Sequence, residues 1–79
     1  MSKKAKPGSA EERTARKAVA RLDKAIARVN ARESELNARM AANLQDYEAL
    51  ATVGVELKAL HAEKDILELE WLDATELLE

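Results

Sequence analysis

The sequence predicts an all-α fold, a two-helix antiparallel coiled-coil hairpin. Ala, Glu, Lys, Leu and Arg make up 51 of the 79 residues, and this bias is typical of long helices and coiled coils. Only two glycines and one proline are available for turns. Apolar residues recur every three or four positions in two long segments, which indicates two amphipathic helices that cover each other.

Residues 1–8 precede the first periodic segment and predict a flexible basic linker, with Lys3, Lys4 and Lys6 before Pro7 and Gly8. Ser9 then predicts a helix start. Glu12 follows three residues later, and this spacing forms a capping box that satisfies backbone N–H groups of the first turn. We therefore expect one domain, residues 9–79, after the linker.

The first helix is predicted over about residues 10–43. Its repeat falls into heptads, and the apolar stripe so formed requires a partner helix because one helix cannot bury it alone. Glu33 is the charged interruption within this stripe. The members of the stripe are Val19, Leu22, Ile26, Val29, Glu33, Leu36, Met40 and Asn43.

A turn is predicted over about residues 44–48 and a second helix over about 49–78. Because the turn stretch lacks Gly and Pro, we expect a tight or 3₁₀-like corner, with Tyr47 packing against it. The second helix carries its own stripe with one charged interruption, Lys64. Its members are Val53, Leu57, Leu60, Lys64, Leu67, Trp71, Ala74 and Leu78.

The two stripes match in a single antiparallel register, in which Leu22 faces Trp71 and Leu36 faces Leu57. Trp71 is therefore expected in the core and His61 on the surface. Glu33 and Lys64 come close in this register, and two interpretations stay open. Either they form an ion pair that disfavours other registers, or both side chains extend to water from a thin core.

Several functional classes are excluded by composition. The chain has no cysteine and a single histidine, so we expect no disulfide, thiolate nucleophile or multi-histidine metal site. No catalytic constellation is visible, and we expect neither enzymatic activity nor a cofactor. No apolar run approaches the length of a membrane span, and the basic start lacks the apolar stretch of a signal peptide. We expect a cytoplasmic protein.

Charge is divided sharply along the chain. Residues 1–39 carry a net charge of +6 and residues 40–79 a net charge of -8. Along the first helix, basic residues recur every three or four positions and point mostly away from the second helix, beyond the direct reach of its acids. Such a stripe suits a phosphate backbone of DNA or structured RNA. The predicted nucleic-acid-binding residues are Lys3, Lys4, Lys6, Arg13, Lys17, Arg21, Lys24, Arg28 and Arg32.

The second helix also has large apolar residues outside its stripe, namely Ile66, Leu69 and Leu72. Because they are contiguous on the outward face, they indicate a protein interface. A homodimer with four helices and docking on a neighbouring domain are the two interpretations. A protein-interaction or dimerisation module is accordingly the alternative to nucleic-acid binding.

The order of these features resembles the C-terminal domain of ABC-F ATP-binding proteins of the Uup type, over about residues 9–79. The resemblance rests on the Lys-rich linker, the basic heptad helix and the corner with Asp46-Tyr47. It also rests on Glu56-Leu57-Lys58-Ala59-Leu60 and Leu67-Glu68-Leu69-Glu70-Trp71-Leu72.

This resemblance implies an α-hairpin that follows two ATP-binding cassettes in a protein without transmembrane helices. It implies association with DNA, while relatives of the full-length proteins act on the ribosome. DNA or ribosomal RNA, and the cassettes of the parent chain, are then the expected partners. This chain has no Walker A glycine loop, so the ATP sites would lie outside it.

Overall fold

The computed structural model describes residues 5–79 and consists of two antiparallel helices. Helix α1 spans Ala10–Ala42 and helix α2 spans Tyr47–Glu76. Together they form a rod with extents of 56 × 21 × 14 Å. The all-α hairpin predicted from the two apolar stripes is thus confirmed. Its length follows from helices of 33 and 30 residues, each rising about 1.5 Å per residue.

Helix α1 begins where the capping box predicts. Ser9 lies in extended backbone, and its Oγ accepts the N–H of Glu12 at 3.1 Å. Glu11 and Glu12 place two carboxylates in the first turn, where the positive end of the helix dipole favours them. Just before the cap, Gly8 has φ +73°. Glycine adopts this left-handed conformation without steric cost, and the chain turns there into the helix.

The corner between the helices is closed by two successive bonds of the i to i+3 type. The N–H of Asn43 donates to Met40 O at 3.1 Å, and the N–H of Asp46 donates to Asn43 O at 3.0 Å. This tight connection agrees with the predicted 3₁₀-like corner. Asp46 then caps α2, since its Oδ1 accepts the N–H of Ala49 at 3.0 Å.

Two details of the predicted corner are wrong. Helix α2 begins at Tyr47 rather than near residue 49, because Asp46 supplies the cap. Tyr47 does not pack against the corner. As the first residue of α2 it points outward and is 83% exposed.

The core is a thin layer between the helices. On α1 the residues buried at seven-residue intervals are Ala15, Leu22, Val29 and Leu36; on α2 they are Val53 and Ala74. The remaining apolar residues of both stripes are half-buried, because a single facing helix covers only part of each stripe. Leu22 and Leu36 are the largest fully buried side chains of the described residues, so they anchor the two halves of the rod.

The segment before α1 is part of the hairpin from Ala5 onward. Ala5 is 4% exposed, and its N–H donates to Leu77 O at 2.8 Å. This bond satisfies one of the carbonyls that a helix end leaves unpaired. The prediction of a flexible linker over residues 1–8 did not include this contact at Ala5, and Lys3 and Lys4 lie outside the described residues.

Candidate nucleic-acid interface

The outward face of α1 carries the predicted basic stripe. Arg13, Lys17, Arg21, Lys24 and Arg28 are all exposed. They recur every three or four residues, so their Cα atoms follow one side of the helix over about 22 Å. Lys6 is exposed at the same end of the hairpin, ahead of α1.

Arg32 differs from the rest of the stripe because it is paired with acidic side chains. Its Nε donates to Glu56 on α2 at 2.7 Å, and its Nη1 donates to Glu35 at 3.0 Å. These hydrogen bonds raise the pKa of Arg32 above its ordinary value. Arg32 directly precedes Glu33, a member of the apolar stripe of α1, and therefore flanks the interface between the helices. The expectation that the acidic helix cannot reach the basic residues is wrong here. Arg28 is the last member of the stripe that forms no ion pair with a described residue.

Two other arginines of the basic stripe, Arg21 and Arg13, form contacts that leave their charge largely free to bind a phosphate. Arg21 lies 3.9 Å from Glu70, with both side chains more than half exposed; such an exposed pair contributes little. Arg13 donates from Nη1 to Gly8 O at 2.8 Å. That neutral acceptor orients the guanidinium beside the start of α1 and leaves its charge uncompensated.

The one acidic residue in this part of α1 lies beside the basic stripe and contacts α2. Asp23 is the only carboxylate between Arg13 and Arg32 in the sequence. Its Oδ1 accepts the indole N–H of Trp71, across the helix pair, at 2.8 Å. Lys17, Lys24 and Arg28, in turn, form no ion pair with any described residue. Sequence reasoning missed the bond to Asp23, although Asp23 directly follows Leu22, which was expected to face Trp71.

Glu33 follows neither of the two sequence-based interpretations fully. Its carboxylate lies 2.7 Å from His61 Nε2 on α2, and the Glu33 side chain is 26% exposed. Lys64 is half-buried and pairs with none of the described carboxylates. The contacts of Glu33 with His61 and of Asp23 with Trp71 both agree with the predicted register. His61 is therefore an exposed residue beside Glu33, as expected from the sequence.

The outward face of α2 is apolar where that of α1 is basic. Ile66, Leu69 and Leu72 are 59%, 65% and 50% exposed. A shallow cavity of 290 Å³ lies between Leu69, Leu72 and two acids, Asp65 and Glu68. Val55 is 73% exposed on the same helix. It was not among the outward apolar residues predicted from the sequence, although it lies outside the α2 stripe. The two outward faces thus present different chemistry.

Comparisons with protein-family models, curated protein sequences and solved structures found no match to this chain. Among residues 5–79, no three or more His, Asp or Glu side chains gather where they could hold a metal ion. Over the same residues, neither helix combines the length and the apolarity needed to cross a membrane. The two outward faces of the hairpin are thus the surfaces that bear on its function.

Proposed function

We propose that this hairpin is a non-catalytic module that binds the phosphate backbone of a nucleic acid through the outward face of α1. One observation carries the proposal. Lys17, Lys24 and Arg28 lie on one exposed face without an ion pair among the described residues, while Asp23, the carboxylate within that stretch of sequence, lies toward α2 and contacts Trp71. A row of uncompensated cations attracts a phosphate backbone and releases its counterions.

The spacing and the surroundings of these cations favour contact with phosphates over contact with bases. Lys17 and Arg28 are separated by about 16 Å along the helix, a length that spans several phosphates. The chain has one tryptophan and one tyrosine. Trp71 is half-buried beside Asp23, and Tyr47 lies at the far corner. No aromatic platform for base stacking accompanies the stripe, which favours binding independent of sequence to duplex DNA or structured RNA.

The resemblance in sequence supports a more specific form of this proposal. We infer that the hairpin is the C-terminal domain of an ABC-F ATPase that acts in the cytoplasm on DNA or on the ribosome. Its ATP-binding cassettes, outside this chain, would be its covalent neighbours. In that setting the basic face of α1 attaches the ATPase to its nucleic acid without taking part in hydrolysis.

Fluorescence anisotropy with a labelled DNA duplex and a labelled RNA hairpin, at several salt concentrations, tests the proposal. We expect salt-sensitive binding by the chain. The double variant Lys24→Gln and Arg28→Gln should bind about tenfold more weakly and flatten the slope of log affinity against log salt by about 2. Both residues are exposed, so circular dichroism should show unchanged helicity. The preferred probe would then distinguish DNA from RNA as the target.

A matched control separates the stripe from net charge. The double variant Arg16→Gln and Lys58→Gln removes the same charge from exposed positions outside the stripe, and it should retain nearly all of the affinity. Equal loss in both variants would show that only net charge matters. Absence of binding at low salt would refute the proposal and leave the protein-interaction alternative, which the outer face of α2 favours.

A further inference from the structure

We propose that the outward face of α2 binds an amphipathic helix of another polypeptide, one whose apolar stripe is flanked by Lys and Arg. This surface is called the outer α2 face below. It lies opposite the core and is independent of the phosphate-binding face on α1. It consists of Val55, Ala59, Ala62, Ile66, Leu69 and Leu72, all exposed.

The spacing of the outer α2 face points to a helical partner. Its members recur at intervals of 4, 3, 4, 3 and 3 residues, close to the heptad pattern that packs helix against helix. Helix α2 therefore has two apolar stripes on opposite sides, and α1 covers one of them. Val55, Ile66 and Leu69 are each more than half exposed. Single exposed apolar residues are common on protein surfaces, but a contiguous row of them marks an interaction site.

The sizes of the side chains on the outer α2 face also favour a helix as the binding partner. Ala59 and Ala62 lie at its centre and allow the backbone of a partner to approach closely. Beyond them, the cavity of 290 Å³ beside Leu69 and Leu72 can receive an apolar side chain as a knob enters a hole. The outer α2 face thus has larger side chains at both ends and a depression over the two alanines in the middle.

Charge complementarity specifies the flanks of the partner. Residues 63–79 contain seven acids and one base, Lys64, which lies on the covered side of α2. Exposed carboxylates border the apolar residues: Asp65 and Glu68 lie on one side, Glu63 lies on the other, and Asp73 lies one turn beyond Leu69. A partner helix that carries Lys and Arg beside its apolar stripe would place opposite charges along both edges.

The same charges disfavour a second copy of this chain as the occupant. In a symmetric antiparallel contact centred on Leu69, Asp65 of one copy would lie next to Asp73 of the other. A parallel contact would place each acid beside its own counterpart. Both arrangements bring like charges together across an apolar interface, which costs free energy and selects against them.

The experiment uses two synthetic probe peptides, each about four heptads long with Leu at both core positions. One carries Lys at the flanking positions and the other carries Glu, so self-repulsion keeps both monomeric. In anisotropy titrations the chain should bind the Lys-flanked peptide and not the Glu-flanked one. The double variant Ile66→Gln and Leu69→Gln should lose at least about tenfold in affinity, while Leu44→Gln, an exposed apolar change at the corner, should bind normally.

A charge reversal makes the test two-sided. The double variant Asp65→Lys and Glu68→Lys should weaken binding of the Lys-flanked peptide and strengthen binding of the Glu-flanked peptide. Equal binding by this variant and the original chain would overturn the proposal, as would failure of the original chain to bind. Analytical ultracentrifugation showing a dimer that Ile66→Gln and Leu69→Gln abolish would also overturn it, because the occupant would then be a second copy.

Discussion

At the scale of single residues, Arg32 ties the two helices together through Glu56. The hydrogen bond from the guanidinium holds the pKa of Glu56 below its ordinary value, against partial burial that acts in the opposite direction. A carboxylate with a depressed pKa in the folded state stabilises the fold above its unfolded pKa. That stability is lost as the pH falls through the folded pKa.

The variant Glu56→Gln should therefore lower the melting temperature at neutral pH. The difference from the original chain should shrink as the pH falls below the ordinary range of a glutamate, because protonated Glu56 no longer forms the charged pair. Thermal melts followed by circular dichroism from pH 7 to pH 3 measure this directly.

The control for this prediction is Glu63→Gln, which removes one carboxylate from the same helix without touching Arg32. If both variants change the melting temperature alike at every pH, net charge explains the effect. The pair between Arg32 and Glu56 would then contribute nothing measurable, as many exposed ion pairs do.

At the scale of the elements, the start of α2 depends on one side chain. The carboxylate of Asp46 accepts the N–H of Ala49 at 3.0 Å, at a corner that has no glycine to relax it. We expect Asp46→Ala to lower the free energy of unfolding by about 1 kcal/mol. Asp46→Asn keeps an oxygen acceptor and should lose clearly less. Urea unfolding measures both, and equal losses in the two variants would show that charge, and not capping, decides this position.

The sequence was most informative where several signals coincided. Ser9 and Glu12 located the start of α1 because they form the full sequence pattern of a capping box. At Asp46 the residue three positions on is Ala49 instead of Glu or Gln, so the cap gave no such signal and the start of α2 was placed two residues late. Tyr47 was misplaced for the same reason, since its direction depends on where the helix begins.

The sequence predicted where the basic residues of the candidate site lie, but not which side chains they and their neighbours contact. Periodicity put the basic residues on the outward face of α1. It could not show that Arg32, beside the interface, reaches Glu56, nor that Trp71 donates to Asp23. Such contacts between long side chains depend on rotamers and on the distance between the helices, which the heptad pattern does not specify.

At the scale of the whole molecule, the hairpin separates two chemistries. The outward face of α1 is basic, the outward face of α2 is apolar with acidic edges, and the thin core lies between them. A nucleic acid on one side and a helix on the other would not compete for residues. The rod would thus bridge the two ligands when α1 and α2 stay packed together along their whole length.

The end opposite the corner is closed by the segment before α1. Ala5 is buried against the last turn of α2, and its N–H donates to Leu77 O at 2.8 Å. Deleting residues 1–5 should expose this end and lower the free energy of unfolding by about 1 kcal/mol. Hydrogen exchange should show faster exchange of the amides in the last turn of α2, because that turn loses its cover.

Deleting residues 1–3 is the matched control, since it removes Lys3 but leaves Ala5 as an ordinary amide in the chain. Protection at the end of α2 should then stay close to that of the full chain. Equal fraying in both deletions would assign the effect to residues 1–3 and contradict the role of Ala5. A loss confined to the longer deletion would show that the contact of Ala5 with Leu77 closes this end of the hairpin.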